Sequence, residues 1–510
     1  MILKIGLKRL LFSVAMLLPQ LSFGSEGIDQ VINQRMQPIA NAVSAFIFFK
    51  VDLFGAEIPL IVMWLVAAAC FFTVYLGFLN VRGLAHAARI VRGDYASAEH
   101  SGEVTHFQAL TTAVSGTVGI GNIGGVAIVI SIGGPGAVFW LFVAGFLGMS
   151  TKFAECVVGV KYRKLNPDGT VSGGPMYYLE ESMRQRGLHF LAKPIGYFYA
   201  IAIVIGCLGI GNMFQSNQAF QQFVFVTGAE QSFLIGKGWL FGLVLAALVA
   251  SVIIGGLKSI VRVTSKLVPF MALAYIFGAV MVIFINAEKI PWALNAIITE
   301  AFSPQATSGG MVGVMILGFQ RAVFSNEAGI GSAAIAHSAV KTNEPVTEGF
   351  VGLLEPFIDT VVICSMTALV ILTTIYHPSI AGEGIQGVEL TSRAFASTLA
   401  WSPIPLSLIA VLFAFSTMIA WSYYGLKGWT YIFGESKTAE VIFKALFCAF
   451  GALGCTIHLG AVLDFSDAMV FVVALPNVLG LYLLAPIIKK ELQAYLARVA
   501  IKSDVERAAV

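Results

Sequence analysis

The sequence predicts an all-α integral membrane protein with about eleven transmembrane helices. Two observations carry this prediction at once. Of the 510 residues, 57% are hydrophobic and 12% charged, and the mean hydropathy is +0.84, so there is more apolar side chain than one soluble core could bury. Apolar stretches close to the ~20 residues that a helix needs to cross a bilayer also recur along the whole chain.

Taken in order, the chain opens with Lys4, Lys8 and Arg9, an apolar run over residues 10 to 18, and small residues at Ser22 and Gly24. That is the pattern of a signal peptide over residues 1 to 24, with an uncleaved short anchor helix as the alternative. Eleven spans come next, at 58–79, 108–132, 136–160, 195–226, 234–255, 262–285, 311–336, 347–376, 404–425, 440–458 and 467–488, numbered 1 to 11. If span 1 starts outside, twenty Lys and Arg fall in the inner connections and tail, against five (Arg35, Lys50, Lys237, Lys289 and Arg393) in the outer segments beyond residue 24. Positive charge stays on the cytoplasmic side. The expected location is therefore the cell (inner) membrane, multi-pass, with the mature N-terminus outside and the C-terminus cytoplasmic. The six cysteines all lie in apolar stretches with no metal-ligand or redox spacing, and read as packing residues.

Two spans carry interruptions that a lipid-facing helix would not tolerate. Span 2 holds glycines at 116, 119, 121, 124 and 125, each costing about 1 kcal/mol of helix propensity relative to alanine. Span 7 holds Arg321, Ser325, Asn326, Glu327, Gly329 and Gly331 in its interior. The spacing predicts breaks at Gly119 to Gly121 and at Ser325 to Gly329. Backbone unwound at this depth must be buried in protein or line a cavity. The alternative for span 2 is close helix packing through Gly121 and Gly125.

Spans 2 to 6 and 7 to 11 form two sets of five, each opening on its broken helix. An odd repeat length inverts one set relative to the other, which is the 5+5 architecture of secondary transporters, with the paired discontinuous helices at the binding site. The expected layout is a periplasmic segment, an extra span and a cytoplasmic loop at 25–107, a first repeat at 108–285, a second at 311–490 and a cytoplasmic tail at 491–510. No connection is long enough for a catalytic or nucleotide-binding unit. Gly119, Gly121 and Gly124 match a dinucleotide-binding pattern, but no strand precedes them and no βαβ unit surrounds them. Neither His-Glu-x-x-His nor a phosphate-binding loop signature is present. An enzyme is not expected, and a net charge of +3 gives no case for nucleic acid.

Gly-Thr-Val-Gly-Ile-Gly-Asn-Ile-Gly-Gly-Val-Ala at 116–127 and Arg-Ala-Val-Phe-Ser-Asn-Glu-Ala-Gly-Ile-Gly-Ser-Ala at 321–333 resemble the alanine or glycine:cation symporter family. So do Gly-Gly-Pro-Gly-Ala-Val-Phe-Trp (133–140), Thr-Lys-Phe-Ala-Glu (151–155), Gly-Gly-Pro-Met-Tyr-Tyr (173–178), Gly-Asn-Met-Phe-Gln-Ser-Asn (211–217) and Phe-Ser-Thr-Met-Ile-Ala-Trp-Ser-Tyr-Tyr-Gly (415–425). The resemblance covers nearly the whole chain from span 1 onward. It implies a LeuT-type fold with one extra N-terminal span. It also implies a sodium-coupled symporter importing a small neutral amino acid, alanine or glycine, with a proton-coupled or glutamine-type carrier of the same fold as the alternative. Sodium enters as coupling ion, no cofactor is implied, lipid is the surrounding partner, and no oligomeric state is implied.

On that reading the substrate site comprises Thr117, Gly121, Asn122, Gln215, Phe324, Ser325, Asn326 and Trp421. Free amides and the positive dipole end near Gly121 would face the carboxylate. Carbonyls near Val323 to Asn326, with Ser325 and Asn326, suit the ammonium. Gln215 would bond the substrate, while Asn212 serves equally as an interhelical amide. Trp421 forms a wall limiting substrate size, together with Phe324. By the same resemblance, sodium, a hard cation preferring oxygen, is assigned to Ser115, Val118, Ser416 and Thr417, the alternative being hydroxyls bonded back to their own helix. Arg321 and Glu327 read as structural or gating groups, paired with each other or with carbonyls, with a proton relay conceivable. Lys152, Glu155, Glu355 and Asp359 are placed near cytoplasmic span ends, snorkelling or locally paired.

Overall fold

The computed structural model describes residues 28–53, 56–95, 101–303, 310–380, 387–456 and 459–508. The leader read at 1 to 24 lies outside them. Every one of the eleven stretches contains helix. Among the described residues, six helices are long and apolar enough to cross a membrane: Gly136–Lys161, His189–Val226, Gly256–Ile285, Pro345–Thr374, Pro403–Phe433 and Phe471–Val499. A bent pair at span 2 makes up to seven. Leu60–Tyr75 and Gly238–Ile253 are apolar but shorter.

Span 6 shows why such helices form here. Phe270, Leu273, Phe277, Val280 and Phe284 recur every three or four residues on one face and are exposed, while Val268, Met271, Tyr275, Ala279 and Val282 on the other face are buried. Both faces are apolar, which suits a helix between protein and lipid.

Span 2 starts at His106, two residues before its apolar window, because Thr105 caps it. The Thr105 hydroxyl accepts from the Gln108 amide at 3.2 Å, and the Gln108 side chain accepts from the Thr105 amide at 3.0 Å. The helix His106–Thr117 stops, and Gly121–Gly133 resumes at 49° to it. Val118 between them is extended, with ψ 91°. The break is thus at 118–120. Span 7 breaks later than the sequence reading places it. Ser325 and Asn326 remain helical in Gly310–Asn326, since the Glu327 amide still bonds the Val323 carbonyl at 2.9 Å. Glu327, Gly329 and Gly331 then take φ of 58°, 94° and 85°, and Ser332–His337 begins the second half. Left-handed backbone ends a helix, and only glycine adopts it without steric cost.

Several elements lie outside the span pattern. A helix at Ile28–Ile47 and a hairpin pairing Lys50–Leu53 with Ala56–Pro59 precede span 1, and the helix packs on the last one. Helices also fill the connections at Pro175–Gln185, Ile290–Ala301 and Val388–Thr398. The last helix, Leu459–Ala508, runs far past the expected end of span 11 at 488 into the expected tail. Polar partners hold its extension, with Glu491 on Lys161 at 2.6 Å and Arg498 on Glu344 at 2.5 Å.

Candidate functional site

The two breaks meet over one buried polar cluster. At the break in span 2, the Gly119 amide donates to the Asn122 side-chain carbonyl at 2.8 Å and the Ile120 amide to that of Gln215 at 3.3 Å. Asn122 then reaches across to the other broken span. Its amide nitrogen lies 3.1 Å from the Ser325 hydroxyl and 2.5 Å from an Asp359 carboxylate oxygen. The other Asp359 oxygen accepts from Ser325 and from Thr360, both at 2.7 Å. Asn326 donates to Thr360 at 3.0 Å, and its carbonyl accepts from the Ala328 amide at 2.9 Å. Every one of these side chains is buried.

Asp359 is the residue that sequence reasoning misplaces. Expected near a span end, it lies well inside span 8, is 0% exposed and is bonded to both broken spans. A signal for it exists, since an ionisable residue inside an apolar span is functional by default. Lys152, Glu155 and Glu355 likewise do not snorkel; each is 0% exposed. The pairing alternative does hold, with Lys152 3.3 Å from Glu355. Glu155 accepts from the amides of Gly329 and Gly331 at 2.9 and 3.0 Å and from Asn477 at 2.8 Å, so it fixes the loop that breaks span 7.

Phe324 lies over Gly121, where an added Cβ would meet its ring at 3.8 Å, and packs edge-on against Phe214 at 5.5 Å. The guanidinium of Arg321 sits 5.8 Å from the same ring, while Glu327 takes its bonds from Trp421 at 3.0 Å and from Ser332. Close packing does not account for the span 2 glycines together: a Cβ on Gly125 would meet nothing within 4 Å. A Cβ on Gly124, by contrast, would meet Val388 at 3.0 Å, and Thr391 bonds the Ile123 carbonyl at 2.9 Å. The connection helix Val388–Thr398 therefore rests on span 2's second half, a contact no sequence period announces.

The residues assigned to sodium lie where span 2 meets span 9, and of their side chains the Thr417 hydroxyl reaches the break. The Ser115 hydroxyl donates to the Ser416 carbonyl at 2.7 Å, and the Ser416 hydroxyl to Phe413 in its own helix at 2.9 Å. Thr117 is bonded back to Ala113 and Val114. Val118 is fully buried, and the hydroxyl of Thr417 is buried with no partner among the described residues. A Cβ on Gly119 would lie 2.6 Å from that hydroxyl and 3.2 Å from Gln215. Gly119 thus lets the unwound chain approach both. An orphaned hydroxyl oxygen at such a point fits a cation that prefers oxygen.

Trp421, expected from the sequence as a wall, bridges the two broken spans. Its indole N–H donates to Glu327 at 3.0 Å and to the Gly116 carbonyl at 3.2 Å, and its ring occupies the space a side chain at Gly211 would fill. Asn212 makes the interhelical amide contact, donating to the Phe447 carbonyl at 2.6 Å.

The sequence model of the sodium:alanine symporter family matches residues 41–508. A sodium/alanine symporter, AgcS, of Methanococcus maripaludis is 36% identical over 438 residues, covering 86% of this chain and 94% of its own. A probable sodium/glutamine symporter, GlnT, of Bacillus subtilis is 30% identical, covering 86% and 87%. A putative sodium/proton-dependent alanine carrier protein, YrbD, of the same organism is 32% identical, covering 81% and 85%. Among solved structures, MhsT in complex with L-phenylalanine superposes with a TM-score of 0.52 at 15% identity, over 77% of this chain and 99% of that one. The likeness to MhsT shows a LeuT-like fold, and the apolar helices make a multi-pass membrane protein. From the match over residues 41–508 and the identity to AgcS across most of both chains, this protein belongs to the sodium:alanine symporter family.

Proposed function

We propose that this chain is a sodium-coupled symporter importing a small neutral amino acid, alanine or glycine, by alternating access. The observation that carries the reading is the meeting of two broken helices over a buried cluster with an orphaned hydroxyl, Thr417, at its edge. The substrate carboxylate takes the amides of Gly119 and Ile120, displacing the side-chain carbonyls of Asn122 and Gln215 that now hold them. Gly121 allows close approach. The ammonium takes Ser325 and the carbonyls near Asn326, with Asp359 supplying the negative charge. Thr117, Phe324 and Trp421 bound the space left for a side chain.

Sodium takes the Thr417 hydroxyl with oxygens of Ser115, Val118 and Ser416, and orders the unwound turn whose amides meet the carboxylate. Each ligand then raises the other's affinity by the same factor. The segments 108–285 and 311–490 act as inverted repeats around this site, with the C-terminus cytoplasmic.

Labelled alanine uptake into proteoliposomes under an imposed sodium gradient tests the reading. Uphill accumulation that collapses without sodium supports it. Accumulation driven by a proton gradient alone, or of glutamine in preference to alanine, moves the reading to the second one, a proton-coupled or glutamine-type carrier, which the buried carboxylate of Asp359 at the centre of the cluster favours.

A further inference from the structure

Apart from the central cluster, the described residues hold a connected chain of five buried ionisable groups without a role. It runs from His106 to Lys152. His106 Nδ1 meets one oxygen of Glu348, and His337 Nδ1 meets the other. His337 Nε2 lies 2.7 Å from Glu355, whose second oxygen is 3.3 Å from the Lys152 ammonium. His106 is 4% exposed and the other four are 0% exposed.

The number of protons fixes the charge of this network. Each imidazole–carboxylate contact needs one proton between its nitrogen and its oxygen. There are three such contacts, and two neutral imidazoles bring only two protons. The network therefore holds one proton beyond neutral histidines and ionised glutamates. With that proton and the Lys152 charge, the two carboxylates are balanced. Without it, His337 would turn a lone pair toward a carboxylate, and a net negative charge would be left where burial makes it costly.

The place of the network gives the proton a consequence. His106 is the first residue of span 2's first half, His337 the last of span 7's second half, and Glu348 and Glu355 belong to span 8. Backbone bonds at the same end, from the Lys341 amide to the Val104 carbonyl at 2.7 Å and from Glu103 to Ala339 at 2.8 Å, close both broken spans on each other. Arg163 reinforces that closure through four carbonyls, those of Ser101, Ser338, Val340 and Thr342.

We propose that His337, held between Glu348 and Glu355, is a proton-binding site whose proton locks this end of the two broken spans, so that losing the proton opens that end. When the proton is lost to solvent, His337 becomes a neutral imidazole that can donate to only one of its two carboxylates; His106, 4% exposed, is the least buried member of the chain. Other charges face the site. Glu155 and Glu327 act on Lys152, Cys156 of span 3 and Tyr424 of span 9 lie beside Glu355, and Arg163 acts on Glu348. Glu155 is engaged by Gly329, Gly331 and Asn477, and Glu327 by Trp421 and Ser332; His337 takes its contacts from Glu348 and Glu355 instead. Cys156, His337 and Glu355 bring ligand atoms within 4.8 Å of one another. Both ring nitrogens of His337 are already taken, however, and Lys152 holds the place a metal charge would fill.

Hydrogen exchange on the purified full chain, read between pH 5.5 and 9 and corrected for intrinsic chemistry, tests this without any transported solute. In the wild type, protection of residues 101–110 and 332–348 should fall as pH rises, approaching about tenfold per pH unit for one proton. His337→Gln and Glu348→Gln should each remove that slope. Constant wild-type protection across the range overturns the proposal even if neither variant folds, and so does a slope that survives in both variants.

Discussion

The indole nitrogen of Trp421 donates to the Glu327 carboxylate at 3.0 Å and to the Gly116 carbonyl at 3.2 Å. One side chain thus ties the last turn before span 2's break to the first residue of span 7's break. Trp421→Phe keeps a ring against Gly211 and removes the donor. A buried acceptor left short of a partner costs about 1–3 kcal/mol. The expected result is a lower unfolding midpoint in detergent together with slower alanine uptake. Unchanged values for both would show that the bond holds nothing.

Thr417 offers a sharper test, because its hydroxyl is buried and has no partner among the described residues. Thr417→Val keeps the shape and removes that orphan. In sodium-free buffer the variant should be at least as stable as wild type, since an unsatisfied polar group has been lost. In sodium the wild type should gain stability that the variant does not, and the sodium concentration for half-maximal uptake should rise about tenfold, equivalent to about 1.4 kcal/mol of ion binding. Equal sodium dependence in the two proteins would remove Thr417 from the ion site.

Asp359 accepts from Asn122, Ser325 and Thr360 at once. Asp359→Asn keeps the size but replaces one acceptor oxygen by a donor, so a donor then faces a donor. Bonds to a charged group are worth about 1.5–3 kcal/mol, and in the proposed site the substrate ammonium would lose its counter-charge as well. The concentration of alanine for half-maximal uptake should rise at least about tenfold. A variant with wild-type uptake would mean that Asp359 only braces the fold.

The reach of the sequence depends on the kind of pattern it encodes. Each of the eleven apolar windows contains helix, though six, or seven with the bent pair, are long and apolar enough to cross a membrane among the described residues, and clustered glycines locate the break in span 2 to within a residue, because both are properties of local composition. Glu327 is harder: nothing local marks it as the residue that turns left-handed, and the helix persists through Asn326. Asp359 lies in a π-helical stretch, Phe357–Cys364, and Gln215 comes just after another, Gly209–Met213. An extra residue per turn rotates the rest of the helix away from the face that a 3.6-residue period assigns. The Trp421–Glu327 bond and the contact of Thr391 with Ile123 join residues 94 and 268 positions apart. Such pairings depend on how helices pack, and no single window of sequence contains them.

A second histidine should respond to pH in the opposite sense to His337. His86, in the helix Leu84–Arg92 outside the spans, lies 2.8 Å from the Tyr495 hydroxyl of the last helix and packs edge-on against Phe350 at 4.7 Å. Burial, with the charge of Arg89 adding to it, pushes its imidazole down to about 4. Undocked, it would titrate near its ordinary value of about 6.5. The docked form therefore binds fewer protons between those values, so docking is strongest above about pH 6.5 and weakens as pH falls toward 4. Corrected hydrogen-exchange protection of residues 84–92 should drop on going from pH 7 to 4.5, and His86→Gln should flatten that drop. The same samples carry the His337 region, where protection is expected to fall with rising pH. If both regions loosened in the same direction, a global change of stability would explain them, and neither histidine would be acting locally.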